Sequence, residues 1–207
     1  MTTGNFRLTN RWSQPLAVVK STFDFMKHFS MFAALAAASG GSAPSRSANM
    51  RTPVEIGYLA DHQDFIPTLA QWHHREWAYL RPGDSLEART ARLRGSCGHR
   101  EIPTVIVSFT GGTLLGSAML VAHDMDTRME LSPWLAGVFV APNHRRHGLG
   151  AALVRRAVDD ATALGVRRLY LYTPSTELFY SRLGWSLVER TRYRGTDVVV
   201  MSYECVA

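Results

Sequence analysis

Cysteine is nearly absent: Cys97 and Cys205 are the only two in 207 residues, and they share no short motif. That scarcity excludes a disulfide framework and a Cys-based zinc site, and it fits a reducing compartment, so a cytoplasmic location without a metal is expected. Long apolar runs are missing as well. None reaches the ~18 to 20 residues that a membrane span needs, so no membrane partner is expected. Acids are in the minority, 17 against 23 Lys and Arg, giving a net charge of +6. A basic balance fits an anionic partner. The bases gather in short clusters (Arg89/Arg92/Arg94, Arg145/Arg146, Arg155/Arg156) and do not alternate with aromatics. That pattern argues against a single-strand binder, and no nucleic-acid partner is expected. No internal repeat is present.

What remains is a chain with 46% hydrophobic and 19% charged residues, enough for one domain with a substantial core plus a tail. Residues 1–52 differ in composition from the rest of the chain. Their only acid is Asp24, and a short apolar run (Met31 to Ala38) leads into a stretch rich in Ser, Gly and Pro. The segment superficially resembles a targeting peptide, but its apolar run is short and set far from the start. It is read as a flexible extension, or as sequence upstream of a start at Met50, with no catalytic role. The domain is expected over residues 53–207.

Periodicity within that domain gives an order β, α, α, β, β, β, α, β, α, β, β. Glu55 to Leu59 reads as a first strand. A helical face then runs through Ile66, Leu69, Ala70, His73, Trp77 and Leu80. Asp84, with Glu87 three residues on, is expected to cap a second helix. Pro103 to Phe109 and Leu114 to Ala122 form a hairpin across Thr110-Gly111-Gly112-Thr113. A helix from Leu149 stops at Gly165, a strand runs from Val166 to Tyr172, and a hairpin around Arg194-Gly195-Thr196 closes the chain. Such an order makes a mixed α/β sheet with helices on both faces.

The most informative stretch is Leu135 to Val154: a short apolar strand, a stop at Pro142, a basic turn, and glycines opening a helix. The turn Arg145-Arg146-His147-Gly148-Leu149-Gly150 offers free backbone N–H groups at the positive end of a helix, which suits a phosphate. By itself it fits an ordinary strand-to-helix turn equally well.

Two spaced motifs decide between these readings. Arg145 to Gly150 matches an Arg/Gln-x-x-Gly-x-Gly/Ala pattern, and Phe179-Tyr180-Ser181-Arg182-Leu183-Gly184-Trp185 is similar to a Tyr-x-x-x-Gly-Phe signature with Trp for Phe. On these motifs the chain resembles the Gcn5-related N-acetyltransferase (GNAT) superfamily across most of residues 53–207. Arg146 stands where the family often has Gly.

The resemblance implies a mostly antiparallel sheet of about seven strands, splayed between the fourth and fifth, with acetyl-CoA entering the gap. Its pantetheine would pair with backbone groups of Val138 and Val140, released by a bulge for which Gly137 is a natural place. The pyrophosphate would lie on the amides of Arg146, His147, Gly148, Leu149, Gly150 and Ala151. Arg145, Arg146 or Arg156 would face the outer phosphates, although Arg156 also fits a solvated helix face.

The implied reaction is attack of a primary amine, from a small molecule or peptide, on the acetyl thioester through a tetrahedral intermediate. A backbone N–H near Phe139 or Val140 would stabilise the developing oxyanion. Tyr180 would protonate the departing thiolate. The strand that carries a Glu in some family members reads Trp134-Leu135-Ala136-Gly137 here, without a carboxylate. Glu130 is the leading candidate for the base, followed by Asp124 and Asp126. His144 and His147 are assigned to the phosphate turn. Adjacent His73 and His74 point in different directions on a helix and lack metal-ligand spacing. Glu76, Trp77 and Tyr79 are possible acceptor contacts, with Trp77 and Trp134 read as core or pocket wall. A homodimer is a further expectation of the resemblance, and a non-catalytic acyl-CoA sensor on the same fold is the alternative function.

Overall fold

The computed structural model describes residues 53–81 and 83–205. The reading of residues 1–52 lies outside them.

Seven strands are present: β1 (Glu55–Tyr58), β2 (Thr104–Thr110), β3 (Thr113–Val121), β4 (Trp134–Val140), β5 (Arg168–Thr173), β6 (Ser186–Tyr193) and β7 (Thr196–Glu204). The helices are α1 (Ile66–Trp77), α2 (Leu86–Gly95), α3 (Leu149–Ala163) and α4 (Glu177–Ser181). One sheet has the order β1-β2-β3-β4-β5-β7-β6, and β4 with β5 is its parallel neighbour pair. The element order and sheet class expected from periodicity are therefore present.

Alternation along β2 assigns the two faces. Ile106 joins Ala118, Leu120, Leu135 and Leu169 in a core that α3 covers with Leu153, Val154, Ala157 and Ala161. Val105 and Val107 point the other way, to Ile66, Leu69 and Ala70 of α1 and Leu93 of α2. Because β2 is buried on both faces, it reads as a continuous apolar run. A third cluster, Met125, Trp134, Tyr193, Val198 and Val200, closes the other end of the sheet. Trp134 is fully buried and donates its indole N–H to the Leu131 carbonyl at 2.7 Å, so it is core.

The start of α2 differs from the sequence reading. Ser85 is the cap, accepting the Ala88 N–H at 3.1 Å, because the helix begins one residue later than an Asp84 cap requires. Asp84 instead has a fully buried side chain that accepts hydrogen bonds from Arg89 and Arg92. No helix among the described residues is long and apolar enough to cross a membrane.

Candidate functional site

The site begins where two strands part. β4 and β5 share one register pair, Trp134 with Tyr170, beside a hydrogen bond from the Tyr170 N–H to the Pro133 carbonyl at 3.0 Å. Beyond Trp134 the edge of β4 that faces β5 has no ladder. On its other edge β4 is bulged: Ser117 faces Phe139 and Met119 faces Ala136, so Gly137 and Val138 together oppose Ala118. Gly137 has φ of 56°, and a Cβ there would lie 2.9 Å from Met119 Sδ and 3.2 Å from His73 Cε1. Both conformation and space demand glycine.

A buried polar pair pins this bulge. The Ser117 hydroxyl donates to the Gly137 carbonyl at 2.8 Å, and His73 Nε2 lies 2.9 Å from the Ser117 oxygen. With the Ser117 proton committed to Gly137, Nε2–H of His73 is the donor to Ser117. Burial, with Arg89 nearby, lowers the His73 pKa to about 3, so the ring stays neutral. The ring packs edge-on to Trp77 with centroids 5.0 Å apart.

At the far end of β4 comes the basic turn. Among the described residues, none of the six backbone N–H groups from Arg146 to Ala151 meets a protein acceptor; the first helical bond runs from the Ala152 N–H to the Gly148 carbonyl at 3.0 Å. Gly148 takes φ of 81°, and a Cβ there would meet nothing within 4 Å, so the turn is open on its outer side. Arg146, also at positive φ, and His147 are exposed.

Two arginines of this region, Arg145 and Arg156, are already engaged by the protein, and Arg156 takes the helix-face place, one of the two expected of it. Arg145 Nε donates to the Val140 carbonyl at 2.9 Å, and its guanidinium lies 5.6 Å from the Phe139 ring centre, so that carbonyl already has a donor. Arg156 pairs with Asp160 at 2.9 Å and lies 5.0 Å from the Tyr58 ring centre, which ties it to the α3 surface.

A cavity of about 490 Å³ opens at the splay. The bulge residues Ala136, Gly137 and Val138 line it, as do Trp77, Tyr180 and Asp124. Trp77 is thus cavity wall, and Glu76 and Tyr79 reach the same space. Tyr180 is 8% exposed, held between Phe179 and Trp185, and among the described residues its hydroxyl has no hydrogen-bond partner. Burial pushes its pKa up, so the phenol keeps its proton.

Asp124, on the connection after β3, adds a carboxylate to the cavity wall. Desolvation raises it to about 6 against the opposing pull of Arg81, Arg89 and Arg194. Glu130 lies exposed on the same connection and does not line the cavity. Asp126 is exposed and holds Arg194 at 2.6 Å. The cavity therefore brings together Asp124, the β4 bulge and Tyr180, and leaves Glu130 outside. Among the described residues no three His, Cys, Asp or Glu side chains come together as a metal-ligand group.

Comparison with known proteins agrees with this geometry. The family model "Acetyltransferase (GNAT) family" matches residues 66–185, more than half of the chain. No curated protein matches. Among solved structures, an N-acetyltransferase from Staphylococcus aureus Mu50 superposes with a TM-score of 0.57 at 16% identity, covering 75% of this chain and 100% of that one. An aminoglycoside 6'-acetyltransferase type Ii gives 0.58 at 15% identity, covering 74% and 98%. The protein yncA from Salmonella typhimurium, solved with its cofactor acetyl-CoA, gives 0.54 at 21% identity, covering 75% and 96%. At these identities the neighbours show a shared fold, and the family model carries the assignment. A splayed β4–β5 pair, a bulged β4 and an open amide turn, on a chain matched from α1 through α4, make this protein a member of the GNAT acetyltransferase family.

Proposed function

We propose that the protein transfers the acetyl group of acetyl-CoA to a primary amine of a small molecule or peptide. The observation that carries this reading is one cavity lined by Asp124, the bulged edge of β4 and Tyr180, on a strand that runs on into the unpaired amide turn.

The residues present fit acetyl-CoA. Six N–H groups without an acceptor among the described residues, at a helix N-terminus, suit a pyrophosphate, and the open side of Gly148 lets it approach. In this reading the amides of Arg146, His147, Gly148, Leu149, Gly150 and Ala151 hold the phosphates. Val138 and Val140 receive the pantetheine as an added strand would be received. The Val140 carbonyl then exchanges Arg145 for a pantetheine amide, and Arg145 is released toward phosphate.

Acetyl-CoA supplies an activated acetyl group as a thioester; the chain supplies the proton handling. An acceptor amine arrives largely protonated and is inert until it loses that proton. Asp124, ionised above about pH 6, takes it, directly or through one water. A backbone N–H of the Phe139–Val140 stretch stabilises the charge that grows on the acetyl oxygen; one such donor is worth ~3 kcal/mol where it has been removed in other enzymes. Tyr180, which keeps its proton, delivers it to the departing sulfur and is reprotonated by the second proton that the attacking nitrogen sheds as the amide forms. Asp124 takes the role of base in place of Glu130, which stands outside the cavity.

The test is free-thiol release from acetyl-CoA across a panel of amines, in the native protein and in Tyr180→Phe. Amine-dependent release that falls about tenfold or more in the variant, with CoA affinity retained, supports the reading. Tight CoA binding with no amine-dependent release would favour the acyl-CoA sensor.

A further inference from the structure

The acceptor end of the cavity is unevenly charged. Four guanidinium groups line it, from Arg81, Arg89, Arg92 and Arg194, against two carboxylates, from Glu76 and Asp124. Three of the four are engaged. Arg89 Nε donates to Asp84 at 2.8 Å, and Arg92 donates to the same carboxylate. Arg194 holds Asp126 at 2.6 Å and donates to the Leu80 carbonyl at 3.0 Å.

Arg81 is the exception. Among the described residues its side chain has no hydrogen bond and no ion pair, although it follows Leu80, whose carbonyl Arg194 fixes. The charges of Arg81, Arg89 and Arg194 all act on Asp124, and none of the three donates a hydrogen bond to it. An unpaired, always-protonated fork donor in a cavity wall is a recognition group for a carboxylate or phosphate. It is also a barrier to acceptors that carry several positive charges.

We infer that the acceptor is a small amine that also carries an anionic group, a carboxylate or phosphate ester, with the amine at Asp124 and the anion at Arg81. This inference rests on the acetyl-transfer reading and narrows its acceptor. The two ends of such a molecule match Asp124 and Arg81, neither of which has a hydrogen-bond or ion-pair partner among the described residues. Arg194 and Arg89, already held in place, frame the anion electrostatically without moving.

The experiment compares acceptors that share a skeleton and differ in the anion: α-amino acids against their primary amides, phosphoethanolamine against ethanolamine, with an aminoglycoside and a polyamine as polycations. Thiol release gives kcat/KM for each, and calorimetry with CoA present gives binding without turnover. The inference expects the anionic member of a pair to be preferred about tenfold or more, with the two pairs separating carboxylate from phosphate. Arg81→Gln should erase that preference through KM, and Arg81→Glu should turn it toward amines with a second positive charge. Preference for a neutral amine or a polycation would overturn the inference while leaving acetyl transfer intact, as would an anion preference that survives in Arg81→Gln. Absence of thiol release with every amine would overturn the acetyl-transfer reading, and the inference with it.

Discussion

His73 Nε2 lies 2.9 Å from the Ser117 hydroxyl, and through it α1 holds the Gly137 carbonyl at the β4 bulge. Ser117 and His73 are both almost fully buried, so water cannot replace a lost partner. Ser117→Ala leaves the His73 N–H without its acceptor and the Gly137 carbonyl without its Ser117 donor. The expected loss of stability is about 1–3 kcal/mol. A shift of the urea midpoint at unchanged slope measures it. An unshifted midpoint would mean that the bulge does not depend on this pair.

Asp124 links stability and activity to pH in opposite senses. Its folded pKa, about 6, lies above its ordinary value of 3.8, so the folded state holds the extra proton between those values. Its contribution to stability is therefore full below about pH 4 and is lost as pH rises through about 6. Asp124→Asn should be more stable than the native protein at pH 7.5, by about 1–3 kcal/mol, with the difference vanishing near pH 4. The same ionisation makes the base, so native kcat/KM should rise through about pH 6, and the variant should lose that limb together with ~10²-fold or more in rate. Equal stability at both pH values would contradict the raised pKa.

The buried Asp84 works in the other direction. Burial alone would raise its pKa, but hydrogen bonds from Arg92 and Arg89 outweigh that and hold it below the ordinary carboxylate range. Its contribution is present above the ordinary carboxylate pKa and is lost as pH falls through the depressed folded value. Asp84→Ala strands two guanidinium groups, and about 3 kcal/mol of destabilisation is expected. Chemical denaturation at pH 7 tests this; a change under ~0.5 kcal/mol, the size typical of a surface substitution, would show that Arg89 and Arg92 do not need the buried acid.

The phosphate turn predicts a separation of binding from folding. Gly148 holds φ of 81° with open space beyond it, so Gly148→Val strains the backbone and displaces the 146–151 amides without entering the core. CoA affinity should fall about tenfold or more while most of the fold's stability remains. At Gly150 an added Cβ meets Phe179 at 3.4 Å, an ordinary contact, so Gly150→Ala should keep its melting temperature. Native CoA affinity in Gly148→Val would remove the turn from the binding site.

Local pattern made much of this legible. The apolar run of β2, the helical stripe of α3, the glycine at the bulge and the turn before α3 are each written within short stretches of sequence. What sequence could not resolve depends on long-range packing. Asp124 and Glu130 share one polar connection, and only the path of that loop beneath Arg194 decides which of them reaches the cavity. Leu80 and Arg194 meet across 114 positions of sequence, and that contact, made as the β6–β7 turn docks, brings Arg194 to the wall that Arg81 lines. His73 reads as one more residue on the buried stripe of α1; its partner Ser117 lies on a strand that local pattern cannot align with it. The Asp84 cap fails for a related reason, since a pair of arginines competes for that carboxylate more strongly than one helix N–H.

The central claim is acetyl transfer to nitrogen in the cavity between β4 and β5. Its most direct test supplies acetyl-CoA labelled in the acetyl group to the native protein with the amine panel and follows the label by mass spectrometry. The account predicts label on the acceptor nitrogen, one acetyl for each thiol released, and loss of that product in Asp124→Asn. Bound CoA with no labelled amine from any acceptor would contradict it.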